Sequence, residues 1–214
     1  MSDRTPEDAR KARQQLKRDR SREDILKAAR AVLMRDGIAA VTLEAVAREA
    51  GMSKTGLYYY FASKEALVFE LVFGVWQSHG DRVHDAVEAT TTGSAALTAI
   101  IRNTVAGYAP QMDDFRLAFL LGQVSNSSRL LVSPEQFDRI RPINDLILAG
   151  AASRLSKERR DGPVEPRLLA FLAYVAALGL LTMKGLVESQ GDPLLYSDDQ
   201  LIDGLSRVFD AASS

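Results

Sequence analysis

The chain has 214 residues, a net charge of −1 and no cysteine, and 26% of its residues are charged. A chain of this length can bury a sizeable core and can form one large domain or two small ones. Without cysteine, disulfides, thiolate metal sites and cysteine redox sensing are excluded. The first residues show no apolar signal-peptide core, so we expect a cytoplasmic protein.

The charge is distributed unevenly along the chain. Residues 1–67 contain 14 basic and 10 acidic residues, a net charge of +4, whereas residues 68–214 contain 13 basic and 18 acidic residues, a net charge of −5. A positive end is what electrostatic attraction to DNA requires. Two conformations are open for the basic residues 1–20, which either extend the first helix or form a disordered arm. They contact phosphates or enter a minor groove, or they remain a solvated tail.

The first predicted helix starts at Ser21, whose spacing from Asp24 resembles a capping box, and ends at Gly37. Two short helices joined by a tight turn follow it. Thr42 can cap the first of these, and Gly51 stands where a left-handed residue commonly ends a helix. The apolar residues of this helix recur at i, i+3, i+4 and i+7, which indicates one buried face: Leu43, Val46, Ala47 and Ala50.

The second short helix is capped by Ser53 and runs from about Lys54 to Tyr60. Helical periodicity places Leu57, Tyr60 and Phe61 on its inner face. The outer face carries a lysine, a hydroxyl, a glycine and two aromatic rings: Lys54, Thr55, Gly56, Tyr58 and Tyr59. An exposed helix face of this composition is typical of a recognition helix that binds in the major groove of DNA.

Lys64 lies in the first turn of the next helix, after the capping residue Ser63. A cation is unfavourable there, beside the positive end of the helix dipole. A bound phosphate would be stabilised both by the lysine and by the helix N-terminus. The position of Lys64 therefore indicates an anionic partner independently of the short helices.

Residues 22–67 resemble the N-terminal DNA-binding domain of the TetR family of bacterial repressors. The resemblance covers about the first third of the chain and depends on a series of short motifs: Ile25-Leu26, Ala28-Ala29, Gly37, Val41-Thr42, Val46-Ala47, Ala50-Gly51, Ser53-Lys54, Leu57-Tyr58, Tyr60-Phe61 and Ser63 to Leu67. It implies that Thr42, Tyr58 and Lys64 grip phosphates. It also implies a surface that reads or lines base edges, made of Lys54, Thr55, Gly56 and Tyr59. Tyr59 replaces a histidine that is frequent in the family, so its partner is a base or a phosphate.

The rest of the chain shows no strand pattern and predicts six further helices. They start at Lys64, Ser94, Asp113, Ser133, Pro166 and Ser197, with a kink near Pro142 and loops at 125–128, 157–163 and 191–193. We therefore predict an all-α fold. It comprises a basic arm (1–20), a three-helix helix-turn-helix domain (21–67) and a six-helix ligand-binding and dimerisation domain (68–214).

The stretch from Leu168 to Met183 is almost wholly apolar and spans 16 residues. That is shorter than the ~20 residues a bilayer requires, so we expect a core helix and no membrane partner. Small residues in it allow a second helix to approach closely: Ala173, Ala176, Ala177 and Gly179. The resemblance implies that this helix and the last one form a four-helix bundle in a homodimer. Two recognition helices related by symmetry can read a palindrome in double-stranded DNA.

The resemblance also implies an effector cavity enclosed by the fourth to eighth helices. The strongest candidates to line it are Trp76, Tyr108 and Phe119, followed by Phe73, Phe115, Tyr174, Phe69 and Met112. Such aromatic residues suit a flat or apolar small molecule, although ordinary core packing explains any one of them. His79 and His84 are five residues apart, which predicts no metal site, and we interpret them as solvated helix residues. No cofactor is expected.

Together these patterns predict a dimeric transcriptional regulator, a repressor that a small-molecule effector releases from a palindromic operator. One alternative is an effector-independent DNA-binding protein, and another is a helical small-molecule enzyme built on the same scaffold. The paired acids Asp113 and Asp114 open a helix, where acidic residues are favourable, and no nucleophile–base–acid set accompanies them. We therefore expect no enzymatic activity.

Overall fold

The computed structural model describes residues 6–120, 133–158, 164–189 and 196–213. These residues contain no strand, which confirms the all-α prediction. They form eight α-helices of seven or more residues, one short α-helical turn, two 3-10 turns and one π-helical segment. The helices are α1 Pro6–Asp36, α2 Leu43–Glu49, α3 Lys54–Tyr60, α4 Lys64–Glu88, α5 Gly93–Tyr108, α6 Met112–Phe115, α7 Pro134–Glu158, α8 Pro166–Ser189 and α9 Asp198–Ser213. The chain divides into two compact units, Met1–Val72 and Phe73–Ser214.

Helix α1 begins at Pro6, so the predicted start at Ser21 is wrong. Residues 6–20 are rich in lysine, arginine, glutamine and alanine, which are good helix formers. Glu7 and Asp8 lie favourably in the first turn, and Glu7 pairs with Lys11 at 2.9 Å one turn later. Of the alternatives for the basic segment, residues 6–20 adopt the helical extension, and residues 1–5 lie outside the described part.

The core of the first unit is formed by one face of each of its helices. Its buried members include Ile25, Ala29, Val32, Val46, Leu57 and Phe61. Gly51 has a φ of +64°, a left-handed conformation in which glycine is strongly favoured, and it lies in the turn between α2 and α3 as predicted. This turn fixes the orientation of α3 against α2.

The second unit is built around α5, which contacts α7, α8 and α9. Its buried residues include Ile100, Ile101 and Val105 of α5, together with Ala173 and Ala177 of α8. These two alanines therefore pack inside the same chain, whereas Gly179 is exposed. A Cβ on Gly80 of α4 would lie 2.7 Å from the Ile143 side chain, so this glycine permits the close approach of α4 and α7.

Several predicted helix ends are confirmed by their hydrogen bonds. Ser133 and Gln136 form a capping box at α7, with bonds of 2.9 and 3.2 Å. Ser197 and Gln200 form a second capping box, at α9. Helix α5 starts at Gly93, one residue before the predicted start at Ser94, and its cap is Thr92, whose hydroxyl accepts a hydrogen bond from the Ala95 amide at 3.2 Å.

Other expectations are corrected or lie outside the described residues. In α9 the apolar residue Val208 is 64% exposed, whereas Ile202 is buried. Pro142 lies inside α7. The helix predicted from Asp113 is a short turn, α6, continued by a π-helical segment over 116–120. The predicted loops 125–128 and 191–193, and residues 159–163 of the charged loop, lie outside the described ranges.

Within the described residues, one helical segment, Pro166–Val187, is long and apolar enough to cross a membrane. It is longer than the 16-residue stretch noted in the sequence. Length and composition are weak evidence, because the core helix of a soluble protein meets the same test. Helix α8 exposes several large apolar side chains: Leu168, Phe171, Leu172, Val175, Met183 and Leu186.

Candidate nucleic-acid interface and buried aromatic cluster

Helix α3 buries one side and exposes the other. Leu57 is fully buried, and the Ser53 hydroxyl accepts a hydrogen bond from the Gly56 amide at 3.1 Å, which caps the helix. On the opposite side 47% of Tyr58 and 65% of Tyr59 are exposed, beside exposed Thr55. A helix of seven residues that presents two aromatic rings to solvent offers a contact surface for a partner.

Lys54 connects α3 to α2 through an ion pair with Glu44. The hydrogen bond between them raises the pKa of Lys54 and lowers that of Glu44. Both side chains are exposed, so the pair is accessible from solvent. The lysine is therefore positioned at the edge of the exposed face of α3 in its charged form.

Thr42 and Lys64 lie at the starts of α2 and α4, the helices before and after α3 in the chain. The Thr42 hydroxyl is exposed and accepts a hydrogen bond from the Ala45 amide at 3.1 Å, as its predicted capping role requires. The Lys64 ammonium is partly buried and donates to the Ile38 carbonyl at 2.8 Å. The structure thus gives Lys64 an internal bond that no sequence pattern indicated.

All seven predicted DNA-contact residues belong to the first unit. Their positions are the N-terminus of α2 for Thr42, helix α3 for Lys54, Thr55, Gly56, Tyr58 and Tyr59, and the N-terminus of α4 for Lys64. Sequence reasoning missed Arg18, whose guanidinium carbon lies 5.2 Å from the centre of the Tyr59 ring. The basic composition of residues 1–20 was the available signal, but a contact between α1 and α3 has no sequence signature.

In the second unit, three of the predicted ligand-binding residues form an aromatic cluster. The Tyr108 ring centre lies 5.7 Å from those of Phe115 and Phe119, and the latter two are 5.3 Å apart. Tyr108 and Phe115 are buried, and Phe119 is partly buried against the core. The cluster therefore forms an apolar surface inside the helical unit.

His79 extends this cluster, so its interpretation as a solvated residue is wrong. Only 2% of it is exposed, and its ring centre lies 4.5 Å from that of Tyr108 and 5.9 Å from that of Tyr174. The spacing of three residues from Trp76 and four from Val83 could have placed it on the inner face of α4. Burial lowers the pKa of His79 to about 4, so its imidazole is neutral at pH 7.

Several buried polar atoms of this region have no hydrogen-bond partner among the described residues. Neither ring nitrogen of His79, nor the hydroxyls of Thr104 and Tyr108, has a hydrogen-bond partner in the described structure. Burial raises the pKa of the Tyr108 and Tyr174 hydroxyls, which keeps both neutral. Unpaired buried polar groups are costly and uncommon in folded proteins. They therefore indicate a place where a polar group of a ligand can bind.

The other predicted ligand-binding residues have different surroundings. Trp76 and Phe73 are partly buried against the core of the second unit, and the Arg139 guanidinium carbon lies 4.1 Å from the Phe73 ring centre. Tyr174 also borders a cleft of about 420 Å³ between α7 and α8, with Asn144 and Phe171.

The last two candidates are buried in different units: Phe69 in the first unit and Met112 in the core of the second. No group of three metal-ligating side chains occurs among the described residues.

Residues 25–71, which include α2, α3 and the start of α4, match the family model of bacterial regulatory proteins of the tetR family. This segment belongs to the TetR family. The match contains all seven predicted DNA-contact residues, and it ends close to the boundary between the two units. No curated protein matches the sequence significantly.

Solved structures of similar fold cover both units of this chain. A TetR/AcrR family regulator from Thermobifida fusca YX-ER1 is 20% identical, covers 89% of this chain and 96% of its own, and gives a TM-score of 0.65. FadR from Bacillus subtilis, solved with stearoyl-CoA, is 16% identical, with coverages of 89% and 98% and a TM-score of 0.66. AibR, solved with isovaleryl coenzyme A and operator DNA, is 21% identical, with coverages of 88% and 97% and a TM-score of 0.61. The chain has the fold of TetR-type transcriptional regulators.

Proposed function

We propose that the protein is a cytoplasmic, dimeric transcriptional repressor that a small-molecule effector releases from a palindromic operator. The observation that supports this most strongly is the exposed face of α3, with Thr55, Tyr58 and Tyr59, inside a segment that matches the TetR family. A helix-turn-helix places such a helix in the major groove. Thr55, Gly56 and Tyr59 then read or line base edges, with Lys54 at the margin.

Phosphates are bound around this helix by residues at helix starts. Thr42 and Lys64 lie at the starts of α2 and α4, whose N-termini favour anions, and Tyr58 lies on α3 itself. The bond between Lys64 and Ile38 uses one of the three ammonium donors, so the lysine can hold a phosphate as well. Phosphate contacts fix the position of the protein on the duplex, and base contacts provide specificity.

The homodimer forms through α8 and α9. Helix α8 exposes a row of large apolar residues, and α9 exposes Val208, which a second copy would cover. A pair of helices from each subunit buries such residues in a four-helix bundle. The two-fold symmetry of the dimer then matches the symmetry of a palindrome.

The effector binds in the second unit, at the cluster of Tyr108, Phe115, Phe119 and His79. The aromatic rings suit an apolar chain or ring, and the neutral imidazole and hydroxyls suit an uncharged polar group. An acyl-coenzyme A has both features in its acyl chain and its thioester carbonyl. Neighbours of the same fold were solved with stearoyl-CoA and with isovaleryl coenzyme A, which makes acyl-coenzyme A thioesters the first class to test.

Release follows from a population shift. The effector favours a conformation of the second unit that holds operator less well, and α4, which carries residues of both units, transmits the change. A ligand shifts such an equilibrium only by its difference in affinity for the two states. A coupling of about 1–3 kcal/mol weakens operator binding roughly 5- to 150-fold.

The decisive experiment selects bound duplexes from a random pool and then titrates stearoyl-CoA and isovaleryl-CoA into the selected complex. We expect enrichment of a palindrome and a loss of affinity with one of the thioesters. Enrichment without any response to a bound thioester would favour an effector-independent DNA-binding protein. The absence of any enriched sequence would contradict the regulator and leave the scaffold enzyme as the alternative.

A further inference from the structure

The N-terminal part of α1 carries an unpaired basic stripe, which we define as Arg10, Arg13 and Lys17. The spacing i, i+3 and i+7 places the three side chains on one side of the helix. All three are exposed, and none forms an ion pair with another described residue, whereas Lys11 of the same helix is paired with Glu7. With Gln14 they border a groove of about 510 Å³. Like charges held close together on a helix repel one another, so an anionic partner would stabilise this arrangement.

The basic stripe continues into the exposed face of α3. The guanidinium of Arg18 lies 5.2 Å from the centre of the Tyr59 ring, a cation–π contact that joins α1 to the recognition helix. A second groove of about 540 Å³ is bordered by residues of both helices: Lys11, Gln14, Gln15, Lys17, Arg18, Tyr59 and Tyr60. A polyanion in contact with Tyr59 therefore has a basic path along α1.

We propose that the basic stripe binds the backbone phosphates of the duplex that flanks each half-site. The inference rests on the proposed function, because it takes α3 to be the element that enters the major groove. Arg10 is eight residues from Arg18, a distance of about 12 Å along the helix axis at about 1.5 Å per residue. At about 3.4 Å per base pair, a helix that lies along the duplex reaches at most about three or four base pairs over this length.

The basic stripe binds phosphates as part of a rigid helix and not as a flexible arm. A disordered arm would lose conformational entropy on binding, whereas α1 holds its three cations in place from Pro6 onward. Arginine and lysine on a rigid helix contact phosphates without reading sequence. The stripe therefore adds affinity and salt dependence, and it leaves the choice of operator to α3.

The test compares the wild type with the triple variant Arg10→Ala/Arg13→Ala/Lys17→Ala on two operator duplexes, one trimmed to the half-sites and one extended by five base pairs at each end. Alanine preserves the helix, which circular dichroism verifies. We expect the wild type to bind the extended duplex more tightly and the triple variant to bind both equally. The slope of log affinity against log salt should fall by about five units on the extended duplex, because the dimer loses six cations, three per subunit, at about 0.9 per phosphate contact.

A matched control removes three positive charges from the second unit, where each arginine is already paired with an aspartate: Arg102→Ala/Arg116→Ala/Arg141→Ala. This variant should retain the preference for the extended duplex. If the wild type binds both duplexes specifically but with equal affinity, or if the triple variant keeps the slope of the wild type, the stripe does not contact flanking DNA and the proposed function still stands. If the wild type selects no duplex at all, the proposed function itself fails.

Discussion

The ammonium of Lys64 donates a hydrogen bond to the backbone carbonyl of Ile38 at 2.8 Å, joining the start of α4 to the 3-10 turn Ile38–Ala40. The residue expected to hold a phosphate is therefore also part of the fold of its unit. The two roles are separable, because one acts in the free protein and the other only on DNA.

Lys64→Ala should lower the free energy of unfolding by about 1 kcal/mol, the usual net contribution of one hydrogen bond. It should also reduce the salt slope of DNA binding by about two units for every sequence, about one for the lysine of each subunit. Urea unfolding and salt-dependent gel shifts measure the two effects. Lys157→Ala, at the exposed end of α7, should change neither. An unchanged slope would leave Lys64 with its structural role alone.

Thr55→Ala should change sequence preference and leave the salt slope unchanged, because Thr55 is exposed on α3 and carries no charge. Loss of a base contact costs about 1–3 kcal/mol at one position of the site. Repeating the selection from random duplexes with the variant reveals which position becomes less restricted. The control is Thr91→Ala, at an exposed position of the second unit. If Thr55→Ala enriches the same sequence as the wild type, Thr55 does not contact a base.

His79 makes stability depend on pH in the acidic range. Its pKa falls from 6.5 to about 4 on folding, because burial disfavours the imidazolium. The unfolded chain therefore takes up the proton first, and the stabilising contribution is complete above about pH 6.5 and is lost as the pH falls towards 4. The free energy of unfolding should fall by up to about 1.4 kcal/mol per pH unit over this interval.

Urea unfolding of the wild type and His79→Phe between pH 7 and pH 5 measures this contribution, since most carboxylates remain ionised there. The variant should lose most of the dependence. Parallel curves for the wild type and His79→Phe would show that His79 is hydrated or paired in the folded protein.

Thr104→Val should stabilise the protein. The Thr104 hydroxyl is fully buried without a hydrogen-bond partner in the described structure, and an unsatisfied buried group costs about 1–3 kcal/mol. Thr182→Val is the matched change, because the Thr182 hydroxyl donates to the Leu178 carbonyl at 2.9 Å, and its loss should destabilise. Thermal unfolding compares the two. Destabilisation by both would mean that Thr104 is paired in the folded protein.

The apolar face of α8 should control assembly. Phe171→Glu combined with Leu186→Glu places two charges among residues that are 48% and 59% exposed in the single chain. Sedimentation equilibrium should show a dimer for the wild type and a monomer for the double variant, because a buried unpaired carboxylate is strongly unfavourable. Met34→Glu, on α1, should remain dimeric. A monomeric wild type would contradict the proposed interface.

The sequence by itself determined the local features. Helical periodicity, the capping residues Ser53, Ser133 and Ser197, and the left-handed Gly51 are encoded within a few neighbouring residues, and the structure confirms them. The start of α1 was predicted wrongly, because Ser21 has capping chemistry but the preceding residues are good helix formers that continue the helix. A residue with capping chemistry does not start a helix when the residues before it are already helical.

Tertiary structure alone decided which residues meet across the chain. The bond between Lys64 and Ile38 spans 26 positions, and the stacking of His79 on Tyr108 and Tyr174 joins three helices. Burial depends on how helices pack against one another, so a histidine that looks solvated in a helical pattern becomes a neutral core residue. Arg18 reaches Tyr59 for the same reason, because the turns after α1 and α2 bring α1 beside α3 and no spacing in the sequence encodes that approach.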